Sequence, residues 1–282
     1  MAFKDILVTL TAYPDPMPVA AANRAVDFAA VLGAPISAIS CGIRIQPPGS
    51  ILSSVLIDLP GMVTAEVSKS SANAERLLDA FQDRAQTRGV FQERIFEQCL
   101  TPDMPRLLTD YARLRDLTIV PVLQGENVHQ WDAEAIIFGS GRPTLILPQT
   151  PEPYRPFALD TAVVAWDFSR PAARAIADAT PVLEMMKQVR VVTVTNEKRI
   201  ESGRFGADLA RHLACHGIEA VMDTVDAAGR GIGDALGAYA ASRNADLLVM
   251  GAYGHSRVRE FVLGGATRSM LARAPLPVFL SH

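Results

Sequence analysis

The chain of 282 residues is long enough for one large domain or for two of ordinary size. Its composition, 49% hydrophobic and 20% charged, is typical of a globular protein, and a net charge of −3 gives no reason to expect binding to nucleic acid or to an anionic membrane. No charge-free apolar run reaches about 18 residues, and the N-terminus lacks the pattern of a signal peptide, so we predict a cytoplasmic protein without a membrane span. The three cysteines, Cys41, Cys99 and Cys215, are widely separated and odd in number, which fits a reducing compartment and indicates neither a disulfide framework nor a metal motif.

The first half of the chain alternates predicted strands and helices. A short apolar, β-branched strand ends at Thr11. The Pro-Pro-Gly cluster in residues 43–61 predicts a loop or lid, and Gly89 ends a helix pattern. Two further apolar strands follow, DLTIVP at 116–121 and RPTLILP at 142–148.

The second half repeats this plan. The matching segments are TAVVAWD at 161–167, a helix pattern ended by Gly217, DLLVMG at 246–251 and LPVFLSH at 276–282. Between the halves, the proline-rich segment 148–160 predicts a stiff connector. We therefore predict domains at 1–150 and 158–282, joined by a linker at 151–157. The expected fold class is α/β, with two tandem Rossmann-like domains, each an open, mostly parallel five-stranded sheet with helices on both faces.

A cluster of glycines follows the fourth predicted strand of the second half. Gly251 and Gly254 lie three apart, nine residues follow, and Gly264 and Gly265 then precede a helix pattern. Together with Asp167 at the end of the first strand of this half, the spacing resembles the ATP-binding type of the universal stress protein family, whose signature is Gly-x2-Gly-x9-Gly-(Ser/Thr). The sequence departs from that signature at Gly265, where a hydroxyl residue is expected, and Thr267 is the alternative donor.

The resemblance implies an adenine nucleotide, ATP with or without Mg²⁺, as the cofactor of the second half. Glycines allow a positive φ and a close approach of an anion, and the free N–H groups at a helix start bind phosphate. By analogy with the family, the Asp167 carboxylate accepts hydrogen bonds from ribose hydroxyls. The predicted cofactor-binding residues are Asp167, Val194, Thr195, Met250, Gly251, Gly254, His255, Arg257, Gly264, Gly265, Ala266 and Thr267, and no catalytic or metal-ligating residue is predicted. Simpler interpretations stay open: the glycines form only tight turns, and Asp167 only begins a helix.

The first half lacks these features. Pro121 and Gln124 stand where the second half has Gly251 and Gly254, and Thr11 replaces the aspartate. Because proline has no N–H to donate, we predict that the first half has lost the triphosphate site.

The function that this reading favours is a nucleotide-responsive stress or signalling module. Two alternatives remain, a slow ATPase or self-phosphorylating enzyme, and a scaffold whose two sites are both vestigial. Universal stress domains typically pair through their last strands, and the apolar segments TLIL and PVFL would otherwise be open edges. We therefore expect an intramolecular pseudo-dimer of the two halves. Pairing of whole chains as a homodimer stays open, and no protein partner is predicted.

Overall fold

The computed structural model describes residues 3–46, 59–123, 128–149, 157–195, 202–252, 254–255 and 262–282. In the N-terminal half (3–149) the elements are β1 (Ile6–Leu10), α1 (Val19–Leu32), β2 (Ile36–Arg44), α2 (Leu59–Thr87), β3 (Phe91–Leu100), α3 (Met104–Ala112), β4 (Leu117–Val122), α4 (Val128–Gly139) and β5 (Thr144–Pro148). In the C-terminal half (157–282) they are β6 (Thr161–Ala165), α5 (Arg170–Leu183), β7 (Gln188–Thr195), α6 (Ser202–Cys215), β8 (Ala220–Asp226), α7 (Ile232–Ser242), β9 (Leu247–Gly251), β10 (Gly254–His255), β11 (Val262–Leu263), α8 (Gly265–Arg273) and β12 (Val278–Ser281).

Ten of these strands form one open sheet in the order β3-β2-β1-β4-β5-β12-β9-β6-β7-β8. Each half contributes five strands that are parallel to one another and arranged in the same relative order. The halves meet where β12 pairs antiparallel with β5, with Phe279 opposite Leu145. The predicted α/β fold with an open, mostly parallel sheet is confirmed, and the last strands of the two halves pair as expected.

Helices cover both faces of the sheet because its strands are apolar on both sides. In β1, Ile6 and Val8 pack into the core beneath α1, α2, α5 and α6, while Leu7 packs into the opposite core, beneath α3, α4, α7 and α8. Each core contains residues from both halves, so one sheet and two continuous cores run through the described chain.

Glycines end two helices where the sequence predicts it. Gly89 and Gly217 have φ values of 70° and 73°, which glycine adopts without the steric cost that other residues incur. The predicted loop at 43–61 is shorter in the structure, since β2 runs to Arg44 and α2 begins at Leu59, and residues 47–58 lie outside the described residues.

The junction between the halves is only partly described. Residues 151–156 of the predicted linker lie outside the described residues. Phe157 packs edge-on against Phe28 of α1, with ring centroids 5.3 Å apart, and the Arg24 guanidinium stacks over its ring. One hydrogen-bonded sheet joins the two halves, so the domain boundaries at 150 and 158 stay a proposal.

None of the helices in the described ranges is long and apolar enough to span a bilayer.

The strand pair that joins the halves gives a stability prediction. Phe279 of β12 is fully buried, and its ring centroid is 6.3 Å from that of Phe3. We expect Phe279→Ala to lower the free energy of unfolding by about 3–5 kcal/mol, because the lost ring leaves a cavity in the core. Urea unfolding measures this, with Leu114→Ala as the control. Since the Leu114 side chain is 77% exposed, its truncation should change stability by less than about 0.5 kcal/mol.

Candidate functional site

A cavity of about 490 Å³ lies at the carboxyl ends of β6, β7 and β9. The chain runs from β6 outward to β7 and β8 and then returns to place β9 on the other side of β6. This reversal of strand order is where open parallel sheets bind ligands. The cavity is lined by the turn after β6, part of β7, the first turns of α7, the end of β9 and the start of α8.

Most of the predicted binding residues line this cavity. They are Asp167, Val194, Met250, Gly251, Gly264, Gly265, Ala266 and Thr267. Thr195 is not among the lining residues, and its hydroxyl donates instead to the Val225 carbonyl of β8, 3.4 Å away. Gly254 and His255 form β10, which pairs with β11, and Arg257 lies outside the described residues.

Other lining residues were missed by the sequence analysis. Val192 precedes Val194 by two positions and therefore lies on the same face of β7. Ile232 and Leu236 are one helical turn apart on α7, so strand and helix periodicity would have found all three once β7 and α7 were placed beside β6. The remaining missed residues belong to the end of β6, the turn that follows it and the start of α5; they are Ala165, Trp166, Phe168, Ser169 and Ala172.

The start of α8 forms one wall of the cavity. Gly264 is the N-cap residue and supplies no side-chain cap to the helix, while its carbonyl accepts the first helical hydrogen bond from the Arg268 N–H. The first N–H groups of a helix have no partner within the helix, and the helix dipole adds positive potential there. A Cβ atom added at Gly265 would meet nothing within 4 Å, so this position is open to the cavity.

Gly251 lines the cavity but does not have the positive φ that the sequence analysis associated with the turn at 251–254. A Cβ atom at Gly251 would instead lie 2.5 Å from the Ala172 nitrogen and 2.6 Å from the Pro171 carbonyl carbon. The residue is therefore glycine because the end of β9 passes directly against the first turn of α5.

Asp167 contributes to the start of α5 and also lines the cavity. Its Oδ1 accepts a hydrogen bond of 3.0 Å from the Ser169 N–H, and the Ser169 hydroxyl in turn accepts from the Ala172 N–H as the N-cap of α5. The carboxylate thus helps to begin the helix. It is also exposed and lines the cavity, and its Oδ2 has no hydrogen-bond partner among the residues that the structure describes.

Phe168, next to this carboxylate, is held in a strained backbone conformation. Its φ of 61° lies in the left-handed region, which costs a residue with a Cβ atom about 1–2 kcal/mol. The ring lines the cavity and packs at 61° to the Trp166 ring, with centroids 5.4 Å apart. Such strain persists only where the surroundings enforce it, and it concentrates at functional sites.

The corresponding place in the N-terminal half is almost filled. The cavity at the ends of β1 and β4 has a volume of about 20 Å³, room for about one water molecule. Pro121, Met104 and Asp132 are among the side chains that surround it. Burial raises the pKa of the Asp132 carboxyl to about 6. The loss of a triphosphate site in this half stays a prediction.

Comparison with known proteins identifies the C-terminal half. A model of the universal stress protein family matches residues 159–282. This half belongs to the universal stress protein family. A universal stress protein from Archaeoglobus fulgidus superposes with a TM-score of 0.67 at 15% identity, covering 98% of this chain and 97% of that one. A Pseudomonas aeruginosa protein assigned to the same family gives a TM-score of 0.55 at 14% identity, covering 99% and 93%.

These likenesses extend over both halves and, at such identities, establish the fold. A search of curated protein sequences finds no significant match. The universal stress protein fold therefore accounts for the ten-stranded sheet, while the chemistry of the cavity must be argued from its own residues.

The strain at Phe168 can be measured with two variants that both remove the ring. Phe168→Gly relieves the left-handed conformation and Phe168→Ala retains it, so we expect the glycine variant to be more stable by about 1 kcal/mol. Urea unfolding of both variants tests this. An alanine variant as stable as the glycine variant would show that the backbone is not strained there.

Proposed function

We propose that the C-terminal half binds ATP in the cavity beside β6 and acts as a nucleotide-responsive module in stress response or signalling. One observation carries the proposal. A cavity of about 490 Å³ lies at the reversal of strand order and is lined by both the start of α8 and the exposed Asp167 carboxylate.

The α8 wall suits the triphosphate. The first turn of the helix presents N–H groups, and Gly264 and Gly265 leave room for phosphate oxygens at that wall. One such dipole contact is worth about 0.3–1 kcal/mol, so several must act together. Arg257, which lies outside the described residues, is retained from the sequence analysis as a proposed source of positive charge, and a Mg²⁺ ion is proposed to accompany the nucleotide.

The opposite walls suit the nucleoside. Val192, Val194 and Leu236 offer apolar surface to a planar base, as ligand cavities commonly do. Asp167 and Phe168 lie together at the turn after β6, where the carboxylate accepts hydrogen bonds from ribose hydroxyls and the ring closes the wall. An adenine contact is proposed for Val194 but not for Thr195, whose hydroxyl donates to β8.

The phosphate site can be tested with a nearly isosteric pair of substitutions at Gly265. An aspartate there stabilises the helix start but repels the triphosphate, so Gly265→Asp should weaken ATP binding at least about tenfold, or about 1.4 kcal/mol. Gly265→Asn has nearly the same shape and no charge, and should bind ATP within about threefold of the wild-type protein, less than about 0.7 kcal/mol. Isothermal titration calorimetry in Mg²⁺ provides the affinities.

The same titration tests the asymmetry between the halves. We expect one ATP per wild-type chain, because the cavity at the equivalent position of the N-terminal half, at the ends of β1 and β4, has a volume of only about 20 Å³. Two equivalent sites would contradict this assignment, as would equal ATP affinity of the aspartate and asparagine variants. No binding to the wild-type chain would refute the proposed function altogether.

A substitution at Asp167 tests recognition of the nucleoside separately from recognition of the phosphates. Asp167→Asn removes a charged acceptor, and hydrogen bonds to charged groups contribute about 1.5–3 kcal/mol, so ATP affinity should fall by about tenfold or more. The affinity for inorganic triphosphate, which has no ribose, should not fall. Competition between each ligand and a fluorescent ATP analogue measures both, and an equal loss for the two ligands would rule out a ribose contact.

A further inference from the structure

Two cysteines that are far apart in the sequence lie side by side in the N-terminal half. In the parallel pairing of β2 and β3, Cys41 lies opposite Glu97 and Cys99 lies opposite Ile43, so the two cysteines are diagonal neighbours on one face of the sheet. Both pack in the same hydrophobic core. Cys41 is buried and Cys99 is partly exposed.

A third sulfur atom belongs to the same part of the core. Met104, the first residue of α3, packs against the core that contains Cys41 and lines the cavity of about 20 Å³ together with it. On its other side, Cys99 lines an open cavity of about 570 Å³ at the ends of β2 and β3. This cavity gives a small ion a route from solvent to Cys99.

The donor set favours a soft metal ion of low coordination number. Thiolate and thioether sulfur atoms select ions such as copper(I), whereas structural zinc sites use four ligands. Within the described ranges, no group of three or more His, Cys, Asp and Glu side chains is placed to hold a metal. Two thiols and the Met104 thioether therefore favour an ion that needs only two or three sulfur ligands.

A disulfide is the competing chemistry, and the strand register disfavours it. Neighbouring strands lie about 4.8 Å apart and two residues rise about 6.6 Å, so diagonal neighbours in this parallel pair have Cα atoms about 8 Å apart, whereas disulfides usually require about 4.4–6.8 Å. Closing the bond would distort the ladder between β2 and β3. Burial also raises the pKa of both thiols, so a disulfide and a copper–thiolate bond alike require the loss of thiol protons, and copper(I) binding should weaken as the pH falls.

We propose that Cys41 and Cys99, assisted by Met104, form a binding site for copper(I). Binding forms two copper–thiolate bonds and releases the two thiol protons to solvent, with no change in oxidation state. The site lies in the half of the chain that lacks the proposed ATP cavity, so it is independent of the proposed function.

The test is an anaerobic titration of the full chain with copper(I) in competition with bicinchoninate, a coloured copper(I) chelator. The wild-type chain should take one copper(I) from the chelator. Cys99→Ser should weaken binding at least about 100-fold, and Met104→Leu by about tenfold, because each removes a soft sulfur donor. Cys215→Ser is the matched control, since Cys215 is exposed on α6 in the other half and its loss should change nothing.

Cys99 is chosen for the main variant because its side chain is less buried than that of Cys41, and thermal unfolding will verify that the variant is folded. The proposal is overturned if the wild-type chain takes up no copper(I), if Cys99→Ser binds as the wild-type chain does, or if Cys215→Ser abolishes binding. A disulfide between Cys41 and Cys99 that forms in air and excludes copper(I) from the reduced and reoxidised chain would overturn it as well.

Discussion

The antiparallel pairing of β5 with β12 is the interaction on which the architecture depends. Each half ends in an apolar strand that would otherwise expose unpaired N–H and C=O groups at the edge of a five-stranded sheet. Because the pairing is antiparallel while the strands within each half are parallel, the carboxyl ends of the two halves lie at opposite edges of the ten-stranded sheet. The two ligand positions of the fold are therefore separated, and one can be filled by side chains without disturbing the other.

This separation explains how two copies of one fold come to differ at the same position. In the C-terminal half the cavity stays open because small residues line the start of α8 and the end of β9. In the N-terminal half, Met104, Leu108 and Asp132 from α3 and α4 line a cavity of only about 20 Å³ at the equivalent position. Both arrangements are compatible with the sheet, since the position lies beyond the ends of the strands. Filling it adds apolar contacts, whereas the open half keeps a strained residue at Phe168.

Much of the fold and part of the site could be predicted from the sequence, and the failures have identifiable physical causes. The alternation of strands with helices and the glycines that end α2 and α6 depend on short stretches of sequence, so both could be predicted. The steric demand on Gly251 arises from Pro171 and Ala172, which are distant in sequence, and glycine alone does not reveal whether φ or space requires it. The Cys41 and Cys99 pair depends on the register of β2 with β3, which no spacing in the sequence encodes.

A bound nucleotide can change the conformation of the chain only through an element that contacts both the nucleotide and the rest of the protein. Helix α8 meets this condition. On one side it packs so tightly against α7 that a Cβ atom at Gly233 would lie 2.7 Å from the Ser269 Cβ and 3.2 Å from the Ala266 carbonyl oxygen. On another side it contacts α4 of the N-terminal half, which carries Trp131 with 71% of its surface exposed. A ligand shifts an equilibrium only by the difference in its affinity for the two states. The proposed triphosphate site is the first turn of α8. A difference in nucleotide affinity between two conformations would therefore depend on how α8 packs between α7 and α4. A change in this packing would alter the protein surface at α4.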